Sequence, residues 1–231
     1  MFDGGWERSA PEWRSDEPRE LIRSIQPDTL VNDRLPGTGG FETPEQFVPP
    51  AAPDNRWETY MTMNRSWGWV PTDTEWKSGR ELVHTLAETA GRGGNLLLNV
   101  SPTGDGSLPA QQVERLELLA GWMDRNGSAI RGTTAGLESW QFYGPSTRDG
   151  DTLFLHLLSR PYDSVSVRGL PIRRIRSVSD LTTGTPLAHR SRAAILDELL
   201  LADPPGELTI DVPANLVDDL ATVIAVEIEP T

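Results

Sequence analysis

Hydrophobic positions along the first 135 residues alternate between short apolar runs and stripes of helical period. "SDEPRELIRSIQP" reads as a helix. Ser15 can cap it, Asp16 and Glu17 suit the positive end of its dipole, and Pro18 fits the first turn. Leu21, Ile22 and Ile25 give one apolar face, and Pro27 ends the helix. "SGRELVHTLAETAGRGG" places Leu82, Val83, Leu86 and Ala90 on one side before glycines stop it. "SLPAQQVERLELLAGWMDRNG" forms a stripe of Val113, Leu116, Leu119, Ala120 and Met123, with Gly127 placed as the stop. Strands are predicted at "MFD", "TLVNDR", "WETYMTM" and "NLLLNV", ending near Asp3, Arg34, Met63 and Val100. The last is a continuous apolar run, as in a strand buried on both faces. "LPGTGGFETPEQFVPPAAPDNR" is a long Gly- and Pro-rich loop, and loops of that length are usually functional or disordered.

Alternation of strand and helix implies a parallel sheet with crossovers. A complete eight-fold α/β barrel takes about 250 residues, so this stretch supplies about half of one. Beyond residue 135 the texture changes. "ESWQFYG", "DTLFLHLLSR", "SVSVRGL", "RIRSVSD", "GELTIDVP" and "ATVIAVEIEP" are evenly spaced short strands, and "RDGD" is a hairpin turn. "AAILDELLL" is compatible with helix or strand. The expected fold class is therefore α/β plus all-β. Residues 1–135 form about the second half of a (β/α)8-type barrel, and residues 136–231 an antiparallel β-sandwich.

Composition narrows the chemistry. With 34 acidic and 21 basic residues the net charge is -13, which argues against nucleic acid and anionic membranes as partners. There is no cysteine, which excludes disulfides, zinc-thiolate sites and thiol nucleophiles. No apolar run is long enough to span a bilayer, and no signal peptide is visible. His84, His156 and His189 lie far apart without metal-binding spacing, and neither "GRGGN" nor "PTGDG" has phosphate-loop spacing. No metal or cofactor is expected. Sequons at Asn64, Asn99 and Asn126 carry little weight, since a buried strand end is inaccessible.

Catalytic side chains of α/β barrels project from C-terminal strand ends and the loops that follow. Asp3 holds such a position, although Asp-Gly is also an ordinary turn dipeptide. Glu42 and Glu45 lie in the long loop. A strand-end carboxylate opposite a loop carboxylate, about 5 Å apart, is the equipment of retaining glycoside hydrolysis, although loop glutamates are usually just solvated. Arg34 could hold a hydroxyl or a carboxylate, or serve as a surface ion pair. Trp67 could line a pocket or pack beneath the loop. Seven of the eight tryptophans precede residue 123, and their flat faces suit sugar rings or core filling alike.

Taken in order, "FDGGWE", "VNDR", "TPEQF", "WETYMTMNRSWGW" and "WKSGRELVHTLAETAGRGGNLLLNVSPTGDGSLPAQQVERLELLAGWMDRNGSAIRGT" resemble the α-L-fucosidases of glycoside hydrolase family 29. The resemblance is dense to about residue 135 and looser through the following β-sandwich. It implies hydrolysis of terminal α-L-fucosides with retention, and a fucosylated glycan as partner. Asp3 falls on the nucleophile. Glu45 falls on the acid/base, with Glu42 as the fallback. Arg34 falls on a sugar-contacting arginine, and Trp67 on an aromatic beside the fucose ring and its methyl group. Leu35-Pro36 departs from the Trp-Gly that often follows "NDR", which bears on the path of the loop. The family's first strands and its sugar-binding histidines have no match here. The expectation is thus a C-terminal fragment of such an enzyme or a truncated gene product, with Met1 an internal or miscalled start. Two rival readings are a non-catalytic product or carbohydrate-binding remnant, and a retaining glycosidase of another sugar specificity. Oligomeric state, compartment and linkage preference are left open.

Overall fold

The computed structural model describes residues 1–37 and 39–230. It divides into two compact units, Met1–Thr62 with Gly94–Asn99, and Met63–Gly93 with Val100–Thr231.

The first unit holds two helices, α1 (Ala10–Trp13) and α2 (Asp16–Ile25), and two parallel strands, β1 (Glu58–Thr62) and β2 (Asn95–Asn99), paired Glu58 to Asn95 through Thr62 to Asn99. Helix α1 starts on a capping box in which Ser9 and Glu12 satisfy each other's backbone amides. It runs almost directly into α2, so Ser15 sits at the start of α2 without capping it through its side chain. Single parallel bridges extend the β1–β2 ladder outward, Glu42 to Trp57 and Glu45 to Tyr60, then Asn32 to Phe41. Beyond Asn32 a side-chain clasp takes over. Phe2 N–H donates to Asn32 Oδ1 at 2.8 Å, and Asn32 Nδ2 donates to Phe2 O at 2.8 Å. Neither "MFD" nor "TLVNDR" is therefore a regular strand. Asn32 spends its amide on Phe2, and the chain turns at once through the Leu35 N–H to Asn32 O bond. Strand β2 is half-buried, not enclosed on both faces, and β1 is its sole ladder partner among the described residues.

The second unit contains α3 (Gly79–Gly91), α4 (Ala110–Asn126) and eight strands. The strands are β3 (Thr134–Ala135), β4 (Ser146–Asp149), β5 (Thr152–Leu157), β6 (Ser164–Pro171), β7 (Ile175–Asp180), β8 (His189–Arg192), β9 (Pro205–Asp211) and β10 (Thr222–Ile228), with a short helix, α5 (Ile195–Leu200), before β9. They form two antiparallel sheets, ordered β3-β4-β5-β10-β7 and β6-β9-β8. Leu153, Leu155, Ile224 and Val226 of the larger sheet share one core with Val167, Leu208 and Ile210 of the smaller. The opposite face, with Phe154, Val223 and Ala225, packs with Val83 and Trp122 of the helices. Double-sided burial explains the nearly unbroken apolar run of β5.

Side chains shift some expected elements. "ESWQFYG" is a turn closed by Gln141 Oε1 on the Glu138 N–H at 3.1 Å, and of its aromatics only Phe142 is buried. The strand comes immediately afterwards as β4, which leads through a turn at Gly150 into β5. On α4 the buried positions are Gln112, Trp122 and Asn126, while Val113 and Ala120 are exposed. Polar Gln112 earns its burial by accepting the Ser101 N–H at 3.0 Å, a bond that hydrophobic periodicity cannot register. Gly127 continues into a single 3-10 turn instead of a left-handed stop.

Candidate active site

Three of the sequence-selected residues meet on one guanidinium. Arg34 Nη1 donates to Asp3 Oδ1 at 2.7 Å, and Nη2 donates to Glu45 Oε2 at 2.6 Å. The Arg34 side chain is only 11 % exposed, whereas those of Asp3 and Glu45 are 58 % and 38 % exposed. The cation is therefore the fixed centre, and the carboxylates are the groups open to a visiting molecule. Because both are charged partners of one planar fork, these are strong, directional hydrogen bonds.

Each arm is set by its own stretch of backbone. Gly4 is left-handed at φ 78, and a side chain on Gly5 would collide with the Arg34 carbonyl. The two glycines after Asp3 therefore let the N-terminal segment fold flat against Arg34 and deliver its carboxylate. Glu45 is delivered by the parallel bridge to Tyr60, flanked by the Tyr60 N–H to Pro44 O and Gln46 N–H to Tyr60 O bonds, both 2.9 Å. Gln46, at φ 63, lets the chain leave this bridge.

Arg34 is gripped from three further sides. Its guanidinium lies 4.7 Å from the Tyr60 ring centroid and 5.6 Å from that of Trp6. Its Nε donates to Thr43 Oγ1 at 3.0 Å. Thr43 in turn donates its hydroxyl to Asp33 Oδ1 at 2.5 Å and its backbone N–H to Asp33 Oδ2 at 3.2 Å. Hydrogen bonding from Arg34, helped by its charge, holds the Asp3 carboxyl below the usual aspartate range, so Asp3 is ionised at neutral pH. The same two carboxylates push the Arg34 pKa upward despite its burial.

Glu42 takes another course. It contributes its backbone to the bridge with Trp57, and among the described residues its carboxylate joins no hydrogen bond or ion pair of this cluster. Trp67 belongs to the other compact unit, in the loop after β1, where its carbonyl accepts the Ser101 hydroxyl at 3.2 Å and its side chain is partly exposed. Asp73 organises that loop by accepting from the Ser66 hydroxyl and the Arg65 and Glu75 amides. Asp33, Thr43, Tyr60 and Trp6 carry no sequence signal of a place around Arg34. All four lie inside the "VNDR", "TPEQF", "WETYMTMNRSWGW" and "FDGGWE" motifs, but nothing in their spacing says that they surround an arginine.

The histidines are tied up elsewhere. His84 Nε2 lies 2.8 Å from Leu220 O, His189 Nδ1 3.1 Å from Leu187 O, and His156 Nε2 3.1 Å from Thr147 Oγ1. Among the described residues no group of three or more metal-ligating side chains is assembled, and no helix is long and apolar enough to cross a membrane.

A sequence profile described as alpha-L-fucosidase matches residues 1–128. The alpha-L-fucosidase of Dictyostelium discoideum is 26 % identical over 226 residues, covering 91 % of this chain and 48 % of that protein. Alpha-L-fucosidase isoenzyme 1 from Paenibacillus thiaminolyticus superposes with a TM-score of 0.86 at 28 % identity, over 99 % of this chain and 57 % of that one. The Thermotoga maritima alpha-fucosidase, solved in complex with a mechanism-based inhibitor, gives a TM-score of 0.77 at 28 % identity, over 97 % and 51 %. The chain thus spans about half the length of the relatives it matches. A profile match over more than half of the residues and agreement in fold along nearly all of them place this chain in the α-L-fucosidase family.

Proposed function

We propose that this chain carries the nucleophile and the acid/base of a retaining α-L-fucosidase, with Asp3 and Glu45 in those roles and Arg34 as their common anchor. The observation that carries the reading is the single guanidinium engaging both carboxylates, 2.7 Å from Asp3 and 2.6 Å from Glu45. Two oxygens on one fork are close neighbours, as retaining chemistry needs, with its carboxyl groups about 5 Å apart. The parallel bridges from Asn32 through β1 to β2 support assigning residues 1–135 to the second half of a (β/α)8-type barrel. The two antiparallel sheets support a β-sandwich over residues 136–231.

In this mechanism the ionised Asp3 attacks the anomeric carbon while Glu45 gives its proton to the departing glycosidic oxygen. A fucosyl ester of Asp3 results. Glu45, now a carboxylate, takes a proton from water. The water oxygen attacks the same carbon and Asp3 leaves, so two inversions restore the original configuration. Arg34 keeps Asp3 charged before attack and loses that partner as the ester forms. Its second arm imposes a condition. A carboxyl that must arrive protonated cannot stay ion-paired, so substrate entry has to open the Arg34–Glu45 contact. Trp67 is assigned to the fucose ring and its methyl group through the family pattern alone.

The test is release of aryl alcohol from an aryl α-L-fucoside by a complete enzyme that contains this chain. Asp3→Gly is expected to abolish turnover. Glu45→Ala is expected to spare substrates with good leaving groups and to fail on those with poor ones. Equal loss on both kinds moves the acid/base role to Glu42 or another residue, and undiminished turnover in Asp3→Gly overturns the reading.

A further inference from the structure

We infer that Asp33 and Thr43 are positioning residues that set the in-plane rotation of the Arg34 guanidinium and thereby aim its two arms at Asp3 and Glu45. The inference builds on the reading of those carboxylates given above.

Ring contacts cannot do this work by themselves. Tyr60 at 4.7 Å and Trp6 at 5.6 Å limit the tilt and height of the guanidinium. A π face is nearly indifferent to rotation about its own normal, so the fork could still swing. The Nε bond to Thr43 Oγ1, 3.0 Å, supplies the missing third point. Once Nε is held, the planar group has one orientation, and Nη1 and Nη2 point where the carboxylates lie.

That third point is useful only if Thr43 presents a lone pair. A hydroxyl has one proton and can turn it toward any acceptor. Asp33 decides the matter with a two-point grip, one oxygen 2.5 Å from the Thr43 hydroxyl and the other 3.2 Å from its backbone N–H. With the proton committed to Asp33, the remaining lone pairs face Arg34. Thr43 is buried, so water is poorly placed to substitute. An amide in place of Asp33 could donate to Thr43 and turn the hydroxyl proton toward the Arg34 N–H. Asp33→Asn is therefore disruptive although it removes no atom from the packing.

The experiment is nuclear magnetic resonance on the whole chain without any sugar, following the Arg34 Nε–H and the titration of the Asp3 carboxyl. In Thr43→Val the Nε–H should exchange with water at least tenfold faster, and the Asp3 titration should move up toward the ordinary 3.8. Thr43→Ser should restore both, the exchange rate to within twofold. Unchanged exchange and titration in a folded Thr43→Val, or failure of Thr43→Ser to restore them, overturns the inference. Should Thr43→Val not fold, Asp33→Asn carries the same expectation, and a native Asp3 titration in that variant overturns it equally. None of these readings uses a fucoside, so they succeed or fail apart from the assay of the active site. Where turnover is measurable, Thr43→Val should lower kcat more than it raises KM.

Discussion

The unit that carries Asp3, Arg34 and Glu45 and the unit built on two sheets are stabilised by different means. In the sheet unit nearly every strand residue belongs to a ladder, and Leu153, Leu155, Leu208 and Ile210 are closed off from solvent. In the site-bearing unit α2 buries no hydrophobic side chain, and Leu21 and Ile25 stand exposed. Its segments are joined by single bridges and by polar clasps such as Asn32 on Phe2. Clasps fix position while leaving side chains available, whereas ladders with a dry core supply cooperative stability and enclose what they hold. Sites built on the first pattern should be sensitive in chemistry and tolerant in stability, and the second pattern should be the reverse.

The largest expected effect tests the sheet unit. Trp122 is fully buried, and its Nε1 donates to Ala221 O at 2.8 Å. Trp122→Ala should cost about 3–5 kcal/mol through the cavity and the orphaned carbonyl. A thermal melt should fall by about 10 °C. Leu21→Ala on α2, whose side chain is 63 % exposed, should change stability by less than about 0.5 kcal/mol. Comparable losses from the two substitutions would erase the contrast.

Next in size is an acid effect confined to the same unit. His156 is buried on the helix-facing side of β5, and burial pushes its pKa down to about 4 from 6.5. The unfolded chain therefore takes up the proton first. Stability is complete above pH 6.5 and is lost as pH falls toward 4, by a total on the order of 3 kcal/mol. Urea titrations between pH 7 and 4 should show this decline, and His156→Leu should flatten it. A slope unchanged by His156→Leu would assign acid sensitivity to the carboxylates instead.

The same contrast governs how much the sequence disclosed. Helices α3 and α4, strands β1 and β2, and most strands of the two antiparallel sheets were legible because burial leaves a period in the chain. The proposed site residues Asp3, Arg34 and Glu45 were legible only through an ordered set of motifs, since loop carboxylates have no period. What stayed hidden was settled by side chains acting on distant backbone. Asn32 replaces a strand by a clasp thirty residues away, Gln112 is buried for one bond to Ser101, and Gln141 closes a turn where aromatics suggested a strand. Thr43 and Asp33 belong to this class, since their importance lies in the orientation of a single hydroxyl.

The smallest expected stability change is also the sharpest test of the contrast. Arg34→Met keeps a long side chain between Tyr60 and Trp6 but removes both ion pairs and the Nε donor. Its carboxylate partners are largely exposed, so the pairs are screened, and the loss should be about 1 kcal/mol or less. The chemical consequence is larger. Without the cation Asp3 loses the hydrogen bond that depresses its pKa and faces Glu45 with no intervening positive charge. Its titration should rise to 3.8 or above. The sign for stability follows from the depressed folded value. Wild-type Asp3 contributes above its unfolded pKa, and that contribution disappears as pH falls through the lower folded pKa. Arg34→Met should therefore lose this small acid-sensitive increment while leaving the His156-driven decline between pH 6.5 and 4 intact. A large fall in thermal stability at neutral pH would show that Arg34 braces the fold as well as aiming the carboxylates, and the division between the two units would then fail at its centre.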